Sequence, residues 1–215
     1  MTKDHIIIGF GRWGKIIFEN IKNKKFFDKI YIKTRNQQFL YHTATKTFTR
    51  LTKNILNRNF FSGHICTPAE KHFFYAKKIN AKKFIIEKPT FYNNSEYNNF
   101  QKKKINFITN YSDLFSPNFY KITKLITNKK KLKTILNYRN QTLKYKKKYD
   151  CLNDWLDHPL SIMLFCYSNL KEFKVISFKR EKVKNFICES VKIKFYINNS
   201  EILLNLNTNS PKKKT

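Results

Sequence analysis

The chain lacks most of what marks a small secreted protein or a membrane protein. Its four cysteines, Cys66, Cys151, Cys166 and Cys188, form no C-x-x-C pair and are widely spaced. That spacing excludes a disulfide-stapled scaffold and a zinc site, and it makes a reducing cytoplasm the expected compartment. No apolar stretch approaches the roughly 18–20 residues needed to span a bilayer, and the N-terminus reads as a strand rather than a signal peptide, so no membrane partner is expected. Acidic residues are few: 14 Asp plus Glu stand against 44 Lys plus Arg, a formal charge of +30. Glycine is scarcer still, with four residues in 215. The length allows one sizeable domain or two small ones.

A charge of this size raises nucleic acid as a partner, because phosphate neutralisation by Lys and Arg drives non-specific binding. The kind of charge argues against it. Lysine outnumbers arginine 38 to 6, whereas base-edge readers favour the planar fork of Arg. Lys, Asn, Ile, Phe and Tyr are also the residues of A/T-rich codons, so biased base composition accounts for the balance. The basic clusters, such as Lys102 to Lys104 and Lys146 to Lys148, lie between apolar segments, where solvated loops or helix faces suffice.

Along the chain, His5 to Gly9 reads as a buried strand, Lys15 to Asn23 as a helix and Lys29 to Lys33 as a second strand, which together make one βαβ unit of a parallel sheet. A strand about Phe39 to Thr43 and a helix near Lys53 are expected next. Strands at Gly63 to Cys66, Lys83 to Ile86 and Ile105 to Thr109 then alternate with helices at Pro68 to Ile79 and Asn94 to Lys103. Beyond Pro117 the pattern changes: helices at Phe119 to Ile126 and Leu156 to Tyr167 accompany strands at Thr134 to Arg139, Phe173 to Lys179, Val191 to Ile197 and Glu201 to Asn207. The last two strands are joined as a hairpin through Asn198, Asn199 and Ser200. The apolar residues Ile162, Met163, Phe165 and Cys166 are expected in the core.

The expected architecture is therefore α/β: a Rossmann-like doubly wound parallel sheet over residues 1–115, then a shortened α+β domain with a largely antiparallel sheet over 116–209, and a basic tail at 210–215.

Three of the four glycines, Gly9, Gly11 and Gly14, spell GFGRWG between a strand and a helix. Glycine at these places permits a tight turn, lets the backbone approach a pyrophosphate and allows close helix packing, while the helix N-terminus offers free N–H groups to the anion. Dinucleotide binding is the expectation, with Arg12 and Trp13 inside the turn; Trp13 either covers the pyrophosphate or packs. A carboxylate about 20 positions on would grip the ribose 2′-hydroxyl of NAD. The second strand instead runs into Thr34 and Arg35, a hydroxyl and a guanidinium suited to the 2′-phosphate of NADP. NADP is the expected cofactor and NAD the alternative.

Residues Ile65 to Pro89 read ICTPAEKHFFYAKKINAKKFIIEKP. A strand ending in Thr67-Pro68 with His72 shortly after, and Glu87-Lys88-Pro89 closing the next strand, resembles the Gfo/Idh/MocA oxidoreductases, the family of glucose–fructose oxidoreductase and inositol dehydrogenase. The resemblance implies that Thr67, Pro68, His72, Glu87 and Lys88 join Gly9, Gly11, Arg12, Trp13, Gly14, Thr34 and Arg35 in holding the cofactor. Members also carry Asp-x-x-x-His at the start of a helix in the second domain, matched here by Asp154 and His158. Four apart on a helix, these two share one face; the plainer alternative is an N-capping aspartate and an incidental histidine. Pro159 and Ser161 depart from the acidic continuation common in the family, which bears on substrate identity.

The activity implied is reversible oxidation of a secondary hydroxyl on a sugar, a nucleotide-sugar or a polyol. His158, with the intrinsic pKa of an imidazole, would act as base. Lys88 would hydrogen-bond the reacting oxygen, and Asp154 would orient the substrate. No metal is expected. Members are usually longer than this chain, so the shortened second sheet becomes a candidate homodimer face. Two other readings stay open: a cofactor-binding protein with weak catalysis, and a basic nucleic-acid-binding module, against which the lack of an RRM, helix-turn-helix or zinc-finger pattern counts.

Overall fold

A computed structural model describes residues 2–52, 54–127, 133–139, 156–167, 172–183, 186–197 and 200–207. The chain forms two compact units, Met1–Asn110 and Tyr111–Thr215.

In the first unit, β1 (His5–Ile8), α1 (Arg12–Ile21) and β2 (Lys29–Lys33) form the expected parallel βαβ unit. The chain continues through β3 (Gln38–His42), β4 (Thr47–Arg50), β5 (Asn59–Phe60), β6 (Ser62–Ile65), α2 (His72–Lys78), β7 (Asn80–Ala81), β8 (Phe84–Glu87), α3 (Asn94–Lys102) and β9 (Phe107–Asn110). Seven strands make one sheet in the order β4-β3-β2-β1-β6-β8-β9, while β5 and β7 pair separately. From β2 to β9 every pairing is parallel; β3 and β4 add an antiparallel edge.

Alternation along β1 explains the double winding. Ile6 and Ile8 pack on one face with Tyr31, Ile65, Phe84 and Ile86 beneath Ala76 of α2 and Phe100 of α3. Ile7 packs on the other with Ile30, Ile32 and Tyr41 beneath Phe18 of α1. A strand buried on both faces needs an unbroken apolar run, which His5–Ile8 supplies.

Several expectations shift. The region near Lys53 is not an α-helix: a single 3-10 turn, Ile55–Asn57, follows Asn54, whose side chain accepts from the Leu56 N–H. Before it comes β4, which the sequence did not reveal because its hairpin to β3 carries Lys46 at φ 52° where glycine or asparagine usually signals the turn. The expected Pro68 to Ile79 helix is a 3-10 turn, Ala69–Lys71, followed by the shorter α2.

The second unit contains α4 (Pro117–Thr127), β10 (Lys133–Arg139), α5 (Asp157–Cys166), β11 (Glu172–Val183), β12 (Phe186–Ile197) and β13 (Ser200–Asn207). Its sheet runs β10-β13-β12-β11. β12 is antiparallel to both neighbours and β10 is parallel to β13. Ile197 pairs with Ser200 across the expected hairpin, whose Asn198 and Asn199 lie outside the described residues, as does the basic tail. Met163 of α5 is buried against Val191, Ile193, Phe195, Ile202, Leu204 and Leu206. Phe165, expected in the core, is 57% exposed and instead sets its ring edge-on to Phe119 at 5.1 Å. Among the described residues no helix is long and apolar enough to cross a membrane.

At the opposite sheet edge from the glycine turn, His5 is wholly buried, with Nδ1 at 2.7 Å from Ser62 Oγ and Nε2 at 2.8 Å from His64 Nδ1. Burial holds both imidazoles below their ordinary range, His64 at about 4. Two facing ring nitrogens share one proton, so the folded state favours the neutral pair, whereas the unfolded chain protonates near 6.5. Stability is therefore full above pH 6.5 and falls as the pH drops toward 4, by about 2–3 kcal/mol from His64 alone. Urea unfolding of the wild type and His64→Gln at pH 7 and pH 4.5 should show the variant losing that much less on acidification.

Candidate functional site

The glycine turn follows β1 directly. Gly9 has φ +89°, a conformation that L side chains rarely adopt, and a Cβ there would lie 2.7 Å from the Cys66 carbonyl oxygen. Its N–H donates to the Lys33 carbonyl at 2.8 Å, tying the turn to the end of β2. A Cβ at Gly14 would overlap the Gly9 carbonyl oxygen, so α1 crosses the turn at backbone contact. Gly11 differs: a Cβ there would meet nothing within 4 Å. It is the N-cap of α1 and supplies no side-chain acceptor, and the first turn of the helix holds no acidic residue. The first N–H groups of α1 thus have no capping side chain, and a ligand meeting Gly11 would find room beside it.

The sheet order brings the other expected residues to the same edge. β1 lies between β2, reached through α1, and β6, so the chain reverses its winding at the carboxyl end of β1, where open α/β sheets bind ligands. Thr34 and Arg35 follow β2, Thr67 and Pro68 follow β6, and Lys88 follows β8. From β2 to β8 is three strand spacings, about 14 Å. Arg35 is exposed, while Thr34 donates through its N–H and its hydroxyl to the Gln37 carbonyl at 2.9 and 3.2 Å. Thr67 Oγ1 is buried and has no hydrogen-bond partner among the described residues. An uncapped helix end, an open glycine and an orphaned hydroxyl on one edge suit the pyrophosphate and ribose of a dinucleotide.

Around Lys88 the edge is tightly bonded. Asn110 donates to Glu87 Oε1 at 2.6 Å. Burial pushes the Glu87 carboxyl up, and Asn110 and Lys88 partly offset that; burial together with Glu87 pushes the Cys66 thiol up. The Lys88–Pro89 peptide is cis. Thr90 and Thr109 hydroxyls lie 2.6 Å apart. His72 has no exposed surface, and its Nε2 and Nδ1 lie 2.8 and 3.2 Å from the carbonyls of Thr67 and Thr90. It reaches the site through the loops it holds.

Trp13 is 46% exposed on α1 with the Arg12 guanidinium 5.9 Å above its ring, so it is not packed into the core. His158 lies in the first turn of α5, half-buried, and its carbonyl accepts from Ser161 Oγ at 2.7 Å. Asp154 lies outside the described residues. The structure thus gathers Gly9, Gly11, Gly14, Thr34, Arg35, Thr67, Glu87 and Lys88 on one sheet edge and places His158 in the second unit. Thr90, Thr109 and Asn110 are additions that sequence did not single out. Their signal is positional: each stands at or just beyond the carboxyl end of a strand, and the β8–β9 register sets Thr109 opposite Ile86 and Asn110 opposite Glu87.

No family model matches the chain, and no curated protein matches it. Solved structures do. A protein of Magnetospirillum magnetotacticum described as an oxidoreductase superposes with a TM-score of 0.75 at 15% identity, over 99% of this chain and 72% of its own. UDP-N-acetylglucosamine 3-dehydrogenase GnnA from Acidithiobacillus ferrooxidans gives 0.65 at 13% identity, over 97% of this chain and 70% of its own. An Agrobacterium radiobacter oxidoreductase in complex with NAD+, L-tartaric acid and magnesium gives 0.67 at 8% identity, over 100% and 69%. At these identities the likeness is one of fold: a Rossmann-like α/β unit followed by a second unit with its own sheet.

The glycine geometry predicts opposite outcomes for two small substitutions. Gly14→Ala forces a methyl group into a backbone carbonyl and should cost about 3 kcal/mol or more. Gly11→Ala should cost about 1 kcal/mol or less, the loss of a good N-cap residue. Thermal melting of both variants checks the contrast.

Proposed function

We propose that the chain is an NAD(P)-dependent oxidoreductase of the Gfo/Idh/MocA type, acting on a secondary hydroxyl of a sugar, a nucleotide-sugar or a related polyol. The observation that carries the reading is the glycine turn with its open helix end, set two strands from Lys88 on the same sheet edge. Likeness of fold to an oxidoreductase crystallised with NAD+ and to a nucleotide-sugar dehydrogenase supports the class.

The backbone at Gly9 to Gly11 and the first N–H groups of α1 would hold the pyrophosphate, with the helix dipole favouring its charge. The Thr67 hydroxyl would donate to the dinucleotide, satisfying its buried oxygen. Arg35 at the end of β2 would take the 2′-phosphate, which favours NADP over NAD, while Thr34, whose N–H and hydroxyl are spent on the Gln37 carbonyl, would hold the loop that carries it. A nicotinamide, when bound, supplies the hydride acceptor or donor. In the oxidative direction the substrate carbon gives up hydride while its hydroxyl loses a proton. The Lys88 ammonium donates a hydrogen bond to that oxygen and favours the negative charge developing there. The His158 imidazole accepts the proton, and Asp154 orients the substrate.

A screen of nucleotide-sugars and polyols for NADPH formation at 340 nm tests the reading. Lys88→Ala should lower turnover by about 10²–10³-fold, and equal activity in the variant would refute the role of Lys88. Saturable NADPH binding without turnover on any panel member, unaffected by His158→Ala, would leave a cofactor-binding protein in place of an enzyme. Arg35→Ala should weaken NADPH binding roughly 5–10-fold and leave NADH binding unchanged. A clear NAD preference in the wild type would overturn the NADP assignment.

A further inference from the structure

We infer that His72 is a positioning residue for Lys88, a buried strut that locks the loop after β8 to the loop after β6; the inference rests on the proposed role of Lys88. Lys88 leaves the sheet after Ile86 and Glu87, both buried, so its N-terminal side is fixed by the strand. On its C-terminal side the first fixed point is Thr90, also buried. Two bonds hold Thr90: its hydroxyl lies 2.6 Å from Thr109 Oγ1 at the end of β9, and its carbonyl faces His72 Nδ1 at 3.2 Å. The other ring nitrogen of His72 lies 2.8 Å from the Thr67 carbonyl, beside the orphaned Thr67 hydroxyl and one residue beyond the Cys66 carbonyl that crowds Gly9.

A single side chain with no exposed surface thus lies between backbone carbonyls on two separate loops. A carbonyl only accepts, and burial holds the imidazole below its ordinary range, so the neutral ring donates its one N–H to one of the two carbonyls and packs against the other. Loosening it frees the 88–90 segment at its C-terminal end, while the glycine turn and α1 keep their own packing.

The test uses the full chain, NADPH as the probe, and competitive acetylation of lysines read by mass spectrometry. In the wild type, saturating NADPH should slow acetylation of Lys88 at least fivefold, with Lys24 and Lys77 on the surface as internal references. His72→Phe keeps the ring volume and removes both nitrogens. It should acetylate faster at Lys88 without NADPH and lose most of the protection at NADPH concentrations that saturate the variant, while Lys24 and Lys77 label as in the wild type. A general loss of structure would show as a lost cooperative thermal transition in the same variant. His72→Gln, whose amide can donate to one of the two carbonyls as the neutral imidazole does, should restore at least half the protection. Thr109→Val, which removes the second bond to Thr90 without a large volume change, should give a smaller loss in the same direction and serves if His72→Phe does not fold. Wild-type labelling and protection of Lys88 in a folded His72→Phe or, failing that, in Thr109→Val would overturn the inference. Failure of the wild type to bind NADPH would instead overturn the reading of the site on which it rests.

Discussion

Everything at the proposed site depends on how closely α1 crosses the turn that follows β1. Gly14 rides on the Gly9 carbonyl with no room for a methyl group, and Gly9 in turn lies against the Cys66 carbonyl at the end of β6. Two backbone segments, one from the helix and one from the neighbouring strand, converge on a single peptide. That convergence draws the start of α1 down to the sheet edge and leaves Gly11 facing outward with space around it. Side chains at either packed position would push the helix end away from the edge, and with it the N–H groups that an anion would meet.

The rest of the edge follows from strand order. Because β1 lies between β2 and β6, the loops after all three strands open into one crevice, and β8 adds Lys88 beyond them. His72, Thr90 and Thr109 then join the outer loops by hydrogen bonds that need no solvent. The polar groups divide in two: those bonded among themselves hold the loops, and the buried Thr67 Oγ1 and the uncapped end of α1, without such bonds among the described residues, stand on the same edge. The net charge of +30 acts at longer range and favours anionic ligands such as a phosphorylated cofactor, without selecting among them.

Much of the first unit was legible because strand and helix periods differ and because the glycines are few. The run His5–Ile8 could only be a strand buried on both faces, and GFGRWG could only turn tightly. The hairpin of β3 and β4 was not legible, since Lys46 occupies the left-handed position without a glycine to announce it. The helix bearing His158 was placed within a residue at each end, yet its buried face was not. α5 is apolar nearly all round, so only packing against β12 and β13 decides that Met163 goes in while Phe165 stays out. Thr90, Thr109 and Asn110 went unnoticed because their roles come from cross-strand register, and a lone threonine or asparagine carries no pattern of its own. The role of His72 needed the two carbonyls it faces, which lie 5 and 18 residues away along the chain.

The open side of the glycine turn is where a dinucleotide's pyrophosphate would be held. Calorimetric titration of the full chain and of Gly11→Ala with NADPH tests it most directly, because that substitution fills the open side and leaves the packed glycines untouched. Saturable binding to the wild type is expected, with at least tenfold weaker binding to a variant whose melting temperature is nearly unchanged. Equal affinity in the two proteins, or no binding to the wild type, would contradict it.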